Sequence, residues 1–120
     1  MSAADRNDNS GIEQVTAPTG GYTKGQIYKI NDAYVIALET ASAGALCLVA
    51  HEAKDVEVVK ATGTGKSFAF GNKVYVKSNK ADPATSTGAV LLNAMALGTA
   101  SASAKTVRVR LYGPVAPTAT

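Results

Sequence analysis

The sequence predicts an all-β domain, a small β-barrel or barrel-like sandwich of about seven or eight short strands, with an extended N-terminal arm before it and a C-terminal tail after it. Three observations carry that expectation: strict alternation in the stretch 105–112, apolar runs recurring at roughly 8 to 15 residues, and Gly-rich turns between them. A barrel would also remove the exposed edges that an open sheet offers to other chains. The expected division is an arm over 1–11, a barrel over 12–113 and a tail over 114–120.

Residues 1–11 are polar and contain no apolar run with which to form a core of their own. Ile12 to Ala17 is a strand candidate closed by Pro18, Gly20 and Gly21, which supply turn chemistry. Gln26 to Ile30 and Ala33 to Leu38 read as paired strands across Asn31 and Asp32, residues that tolerate tight-turn geometry. Leu46 to Ala50 is a continuous apolar run, which suggests a strand covered on both faces. Val56 to Val59 follows a charged turn. Lys73 to Lys77 alternates, with Val74 and Val76 on one face, and Asp82-Pro83 is expected to break the chain after it.

Ala89 to Leu97 is ambiguous, because Leu91, Leu92, Met95 and Ala96 also fit a helical stripe. A strand fits better, since Gly98 to Ala104 returns directly into the last strand as a hairpin connection would. That last strand is the clearest element: Val107, Val109 and Leu111 alternate with Arg108, Arg110 and Tyr112, placing aliphatics on one face and cations on the other. Gly113 and Pro114 end it.

A chain of 120 residues fits one domain. Ala, Ser and Thr supply 42 of them, while Trp is absent and Phe occurs twice, so the core must be thin. Small domains bury a smaller share of their surface, and oligomerisation is the natural way to bury more. Net charge is +3, but residues 1–57 carry eight acids against four Lys or Arg, whereas residues 58–120 carry one acid against eight. Interleaved strands would mix these halves in space. Cys47 is a lone cysteine and forms no internal disulfide; no stretch approaches the roughly 20 apolar residues of a membrane span, and no apolar leader follows Met1. The expected protein is made and used without secretion and contacts no membrane.

The segment Ala61-Thr-Gly-Thr-Gly-Lys-Ser67 invites comparison with a phosphate-binding loop, which needs Gly, four residues, then Gly-Lys-Ser or Thr. The first position here is Lys60, and Phe68 and Phe70 lead towards another strand, not a helix. A flexible loop is the expected reading. His51 beside Glu52 lacks a positioned third partner, and His51 with Cys47 falls short of a four-ligand zinc site. No catalytic residues, no cofactor-binding residues and no metal ligands are expected, and no small-molecule substrate. Arg108 and Arg110, with Lys73, Tyr75 and Lys77 as possible neighbours, could hold phosphates; interspersed aromatics are sparse, so a solvated face or inter-subunit ion pairs are favoured over nucleic acid.

The order of motifs resembles the short capsid decoration, or cement, proteins of tailed bacteriophages and prophages. The resemblance runs from about Ile12 to Gly113 and rests on Thr16-Ala-Pro-Thr-Gly-Gly21 followed by Gly25, on Gly71-Asn-Lys-Val-Tyr75, and on Thr106-Val-Arg-Val-Arg-Leu111. The chain departs from that pattern at Asn72, where aspartate is usual, and at Asp55 and Asn93, near positions where glycine is common. The resemblance implies a small barrel, often trimeric, bound to the major capsid protein on the outside of the virion, made in the bacterial host cytoplasm, with no catalysis and no cofactor. Under it, Asp5, Arg6, Asn7 and Asp8 of the arm and Arg108 and Arg110 of the last strand become candidate contacts to the capsid or to a neighbouring subunit. The alternatives are a nucleic-acid-binding barrel that uses Arg108 and Arg110, and an enzyme that uses the glycine loop at Gly63.

Overall fold

The computed structural model describes residues 11–83 and 88–112, and these form nine strands and no helix. The strands are β1 (Ile12–Thr16), β2 (Ile27–Ile30), β3 (Ala33–Ala37), β4 (Leu46–Ala50), β5 (Ala53–Val59), β6 (Lys73–Lys77), β7 (Lys80–Asp82), β8 (Val90–Ala96) and β9 (Thr106–Leu111). They build two antiparallel sheets, β1-β4-β3-β2 and β5-β9-β8-β6-β7. The second curls through half a barrel. Its edges meet only at one isolated parallel bridge, Lys60 to Ala81, where the Ala61 amide donates to the Ala81 carbonyl at 2.9 Å. The all-β class is therefore as expected, while the architecture is a pair of sheets and not a barrel closed by a continuous ladder.

The sheets divide the sequence at residues 51–52, so the two halves segregate and do not interleave. Residues 11–52 carry Glu13, Asp32, Glu39 and Glu52 against Lys24 and Lys29. Residues 53–112 carry nine Lys or Arg against Asp55, Glu57 and Asp82. The expected mixing of charge fails because consecutive strands pair locally. β5 brings two of the three acids into the basic half, and β7 ends on the third, Asp82.

The larger core fills the concave side of the second sheet, where Val58, Val74, Val76, Leu92, Val107, Val109 and Leu111 meet Ile27 and Ile36 from the first sheet. Phe68, in the β5–β6 connection, is buried there; its backbone exchanges two hydrogen bonds with Ala100, at 2.8 and 3.0 Å. A smaller core lies on the other face of the first sheet, where Val35, Ala37, Cys47 and Val49 are covered by Ala17, Tyr22 and Ala41. The scarcity of large side chains thus yields two thin cores.

Two local features differ from the sequence expectation, while a third, β8 (Val90–Ala96), is the expected strand. The hairpin β6–β7 turns through Ser78 and Asn79, both at positive φ (54° and 66°), which is the geometry a two-residue hairpin needs. Its second strand is three residues long and ends at the expected break, Asp82-Pro83, too short to leave a periodic signal. The supposed charged turn before Val56 is the beginning of β5, with a bulge between Ala53 and Val56. β8 explains the helix-like stripe: Lys73 pairs with Met95 but Val74 with Leu92, so the extra residues Asn93 and Ala94 break the two-residue period inside a strand.

Leu46 to Ala50 is not covered on both faces. Cys47 and Val49 are buried, but Leu46 is 59% exposed and Leu48 40%. The second sheet reaches only the Ile27 and Ile36 end of that face, which leaves the Leu46 end uncovered.

Candidate functional site

The glycine loop is organised around the residue that breaks the phosphate-loop pattern. Lys60 is 2% exposed, and its ammonium donates to the carbonyl oxygens of Ala61 (2.8 Å), Lys66 (2.7 Å) and Ala102 (3.3 Å). A phosphate cradle turns backbone amides inward, whereas this loop turns carbonyls inward around a cation. Two of its amides are already used, Gly63 donating to Ala102 and Lys66 to Gly63. Lys66, which would reach a bound phosphate, instead pairs with the buried carboxylate of Asp82 at 2.8 Å. Burial holds the Lys60 pKa below its ordinary value, and the nearby Asp82 opposes that shift. The geometry gives phosphate no amide nest, and the loop joins strand to strand.

Two isolated residues from the sequence fall in different surroundings. His51 and Glu52 occupy the bend between β4 and β5, not a strand, and both amides donate to the Gly11 carbonyl, at 2.7 and 3.3 Å. Gly11 sits at φ 94°, and a Cβ there would collide with the Glu52 carbonyl oxygen, so only glycine suits this entry point. Cys47 is in the smaller core with its thiol donating to the Glu39 carbonyl at 3.3 Å, and burial pushes its pKa up. Among the described residues no group of three His, Cys, Asp or Glu is placed to hold a metal ion.

The outer face of the second sheet carries the predicted cations. Arg108 makes a two-pronged contact with Asp55, Nη2 to Oδ2 at 2.9 Å and Nε to Oδ1 at 3.1 Å. These hydrogen bonds hold the Asp55 carboxyl below its usual pKa and raise that of the guanidinium. The β5 bulge places Asp55 beside Arg108, a partner that no local pattern singles out. Arg110 lies 5.2 Å from the Tyr112 ring centre and shares a register row with Met95 and Lys73 across β9, β8 and β6. The structure thus brings Lys73 towards Arg110 while Arg108 is occupied, which weakens the phosphate-binding reading of that strand. Asp5, Arg6, Asn7 and Asp8 lie outside the described residues.

Sequence reasoning missed the exposed apolar positions. Ile12, Leu46 and Leu48 share one face of the first sheet, since Ile12 pairs with Ala50, Gln14 with Leu48 and Thr16 with Leu46. On the second sheet Leu91, 53% exposed, pairs with Tyr75 on the outer face. An apolar run alone does not say which of its residues a second sheet will cover. These exposed apolar faces are the parts of the described surface suited to contact with another protein.

A family model described as "Phage cement protein" matches residues 6–111. No curated protein and no solved structure matches the chain.

Proposed function

The chain belongs to the phage cement protein family, and from that premise we propose that it binds the outer surface of a phage head, against the major capsid protein, and stabilises the shell. The match over residues 6–111 carries this reading, because it spans both sheets. The role is structural: the glycine loop is closed around Lys60, and Arg108 is engaged by Asp55. Neither arrangement favours nucleotide or nucleic-acid binding.

The arm, with Asp5, Arg6, Asn7 and Asp8, is the proposed attachment element, and the working assembly is a homo-oligomer, a trimer. Two thin cores and several uncovered apolar side chains support self-association. Co-sedimentation of purified protein with undecorated heads tests the reading. Saturable binding with raised heat or chelator resistance of the heads is expected; heads that neither retain the protein nor gain resistance would overturn it.

A further inference from the structure

The two exposed apolar faces are rimmed by opposite charge. Beside Leu46 and Leu48 stands Glu39, whose carboxylate accepts from the Leu48 amide at 2.8 Å. Beside Leu91 and Tyr75 stands Met95, flanked in register by Lys73 on one side and Arg110 on the other. Tyr112, 44% exposed, extends this second patch by donating its hydroxyl to Met95 Sδ at 3.8 Å.

From this complementarity we propose that the chain associates with copies of itself head to tail, the Leu46–Leu48 face of one copy seating on the Leu91–Met95 face of the next. The proposal rests on the self-association reading above and adds the surfaces. A two-fold contact made by either face alone would set Glu39 against its own counterpart, or Lys73 and Arg110 against theirs, and like charges brought together at an interface are unfavourable. Pairing the unlike faces removes that repulsion and buries both apolar patches. Because each copy offers its two faces to two different neighbours, the contact is heterologous, and such contacts close into a ring when the rotation between copies permits.

Two variants test it, each aimed at an exposed position where the fold should tolerate change. Leu48→Arg puts a cation opposite Lys73 and Arg110; Leu91→Glu puts a carboxylate opposite Glu39. Light scattering on the full chain at its highest soluble concentration should find the wild type oligomeric and each variant monomeric, with melting temperatures unchanged. Mixing the variants should then produce a one-to-one heterodimer, since each retains the face that the other has lost. Leu46→Arg serves as a second variant if L48R melts early. A monomeric wild type would overturn self-association and this proposal together. An oligomeric wild type whose variants also remain oligomeric, or whose monomeric variants fail to combine, would leave self-association standing and overturn the head-to-tail surfaces.

Discussion

Lys60 Nζ lies 2.7 Å from the carbonyl oxygen of Lys66, so the loop between them closes on a buried cation from within the same chain. The two lysines of this segment divide the work. Lys60 binds carbonyls, while Lys66 turns away to Asp82 across the β7 edge.

Replacing that ammonium should cost stability and nothing else. Lys60→Met keeps the apolar stem but leaves the carbonyls of Ala61, Lys66 and Ala102 without their shared donor. Unsatisfied buried acceptors and the loss of a buried charge together suggest a destabilisation of about 2–4 kcal/mol. Urea unfolding measures it, and a change under about 0.5 kcal/mol, the scale of a neutral surface substitution, would show that the clasp is dispensable.

The same lysine makes a pH prediction. Burial lowers its folded-state pKa beneath the ordinary 10.5, so the folded protein sheds this proton before the unfolded chain does. The unfolded state then binds more protons, and stability rises with pH across that interval. The linked contribution is fully present above about 10.5 and is lost as pH falls through the folded-state value. Wild-type stability minus that of K60M should therefore climb through the alkaline range; a flat difference would mean that Lys60 is solvated in solution.

Asn79 ties the second sheet to the first. The Ile27 amide donates to the Asn79 carbonyl at 2.9 Å, and Asn79 Nδ2 donates to the Ile27 carbonyl at 2.8 Å, so a hairpin tip caps the edge of β2. Asn79→Gly should lose the side-chain bond and keep the positive φ, at about 1 kcal/mol; Asn79→Ala should lose both and cost about 2 kcal/mol. Equal melting temperatures for the two variants would separate the strain from the effect.

These relationships mark where the sequence stops being legible. β2, β3, β6 and β9 could be read because alternation and turn residues are local signals, and the Asn31-Asp32 hairpin has Asn31 at φ 55°. β7 was too short, and bulges at Asp55 and Asn93 change face assignments only through the register of a partner strand. Arg108 and Arg110 lie on the outer face of β9, where the alternation puts them, but their different partners follow from β5 and β8, which lie elsewhere in the sequence. The burial of Lys60 leaves no local signature, since its three acceptors include Ala102, 42 residues away.

Arg108 and Asp55 are both well exposed, and solvent screens their contact. Arg108→Ala should leave the melting temperature close to that of the wild type while returning the Asp55 carboxyl to the ordinary range near 3.8, because the largest cause of its depression is the lost hydrogen bond. In the wild type this pair contributes above that range, and its contribution is lost as pH falls through the depressed value. NMR titration of the Asp55 side chain follows the shift directly; an unchanged titration in R108A would place the cause elsewhere.

The arm can be separated from the fold at one residue. Gly11 must stay, since its carbonyl accepts from both His51 and Glu52 and anchors the start of β1. Deleting residues 2–10 removes Asp5, Arg6, Asn7 and Asp8 and leaves every described core residue in place. Ordering such a segment on a surface costs roughly 1–2 kcal/mol per backbone residue, so attachment through it requires extensive contacts at the far side. The truncated protein should melt within a degree or two of the full chain, a shift of well under about 1 kcal/mol, because the described sheets and cores are built from residues 12–111. Its binding to undecorated heads should weaken and the heads should lose part of their protection against heat. A truncated protein that melts normally, saturates heads at full affinity and protects them equally would remove the arm from the attachment mechanism and leave the sheet faces to carry it.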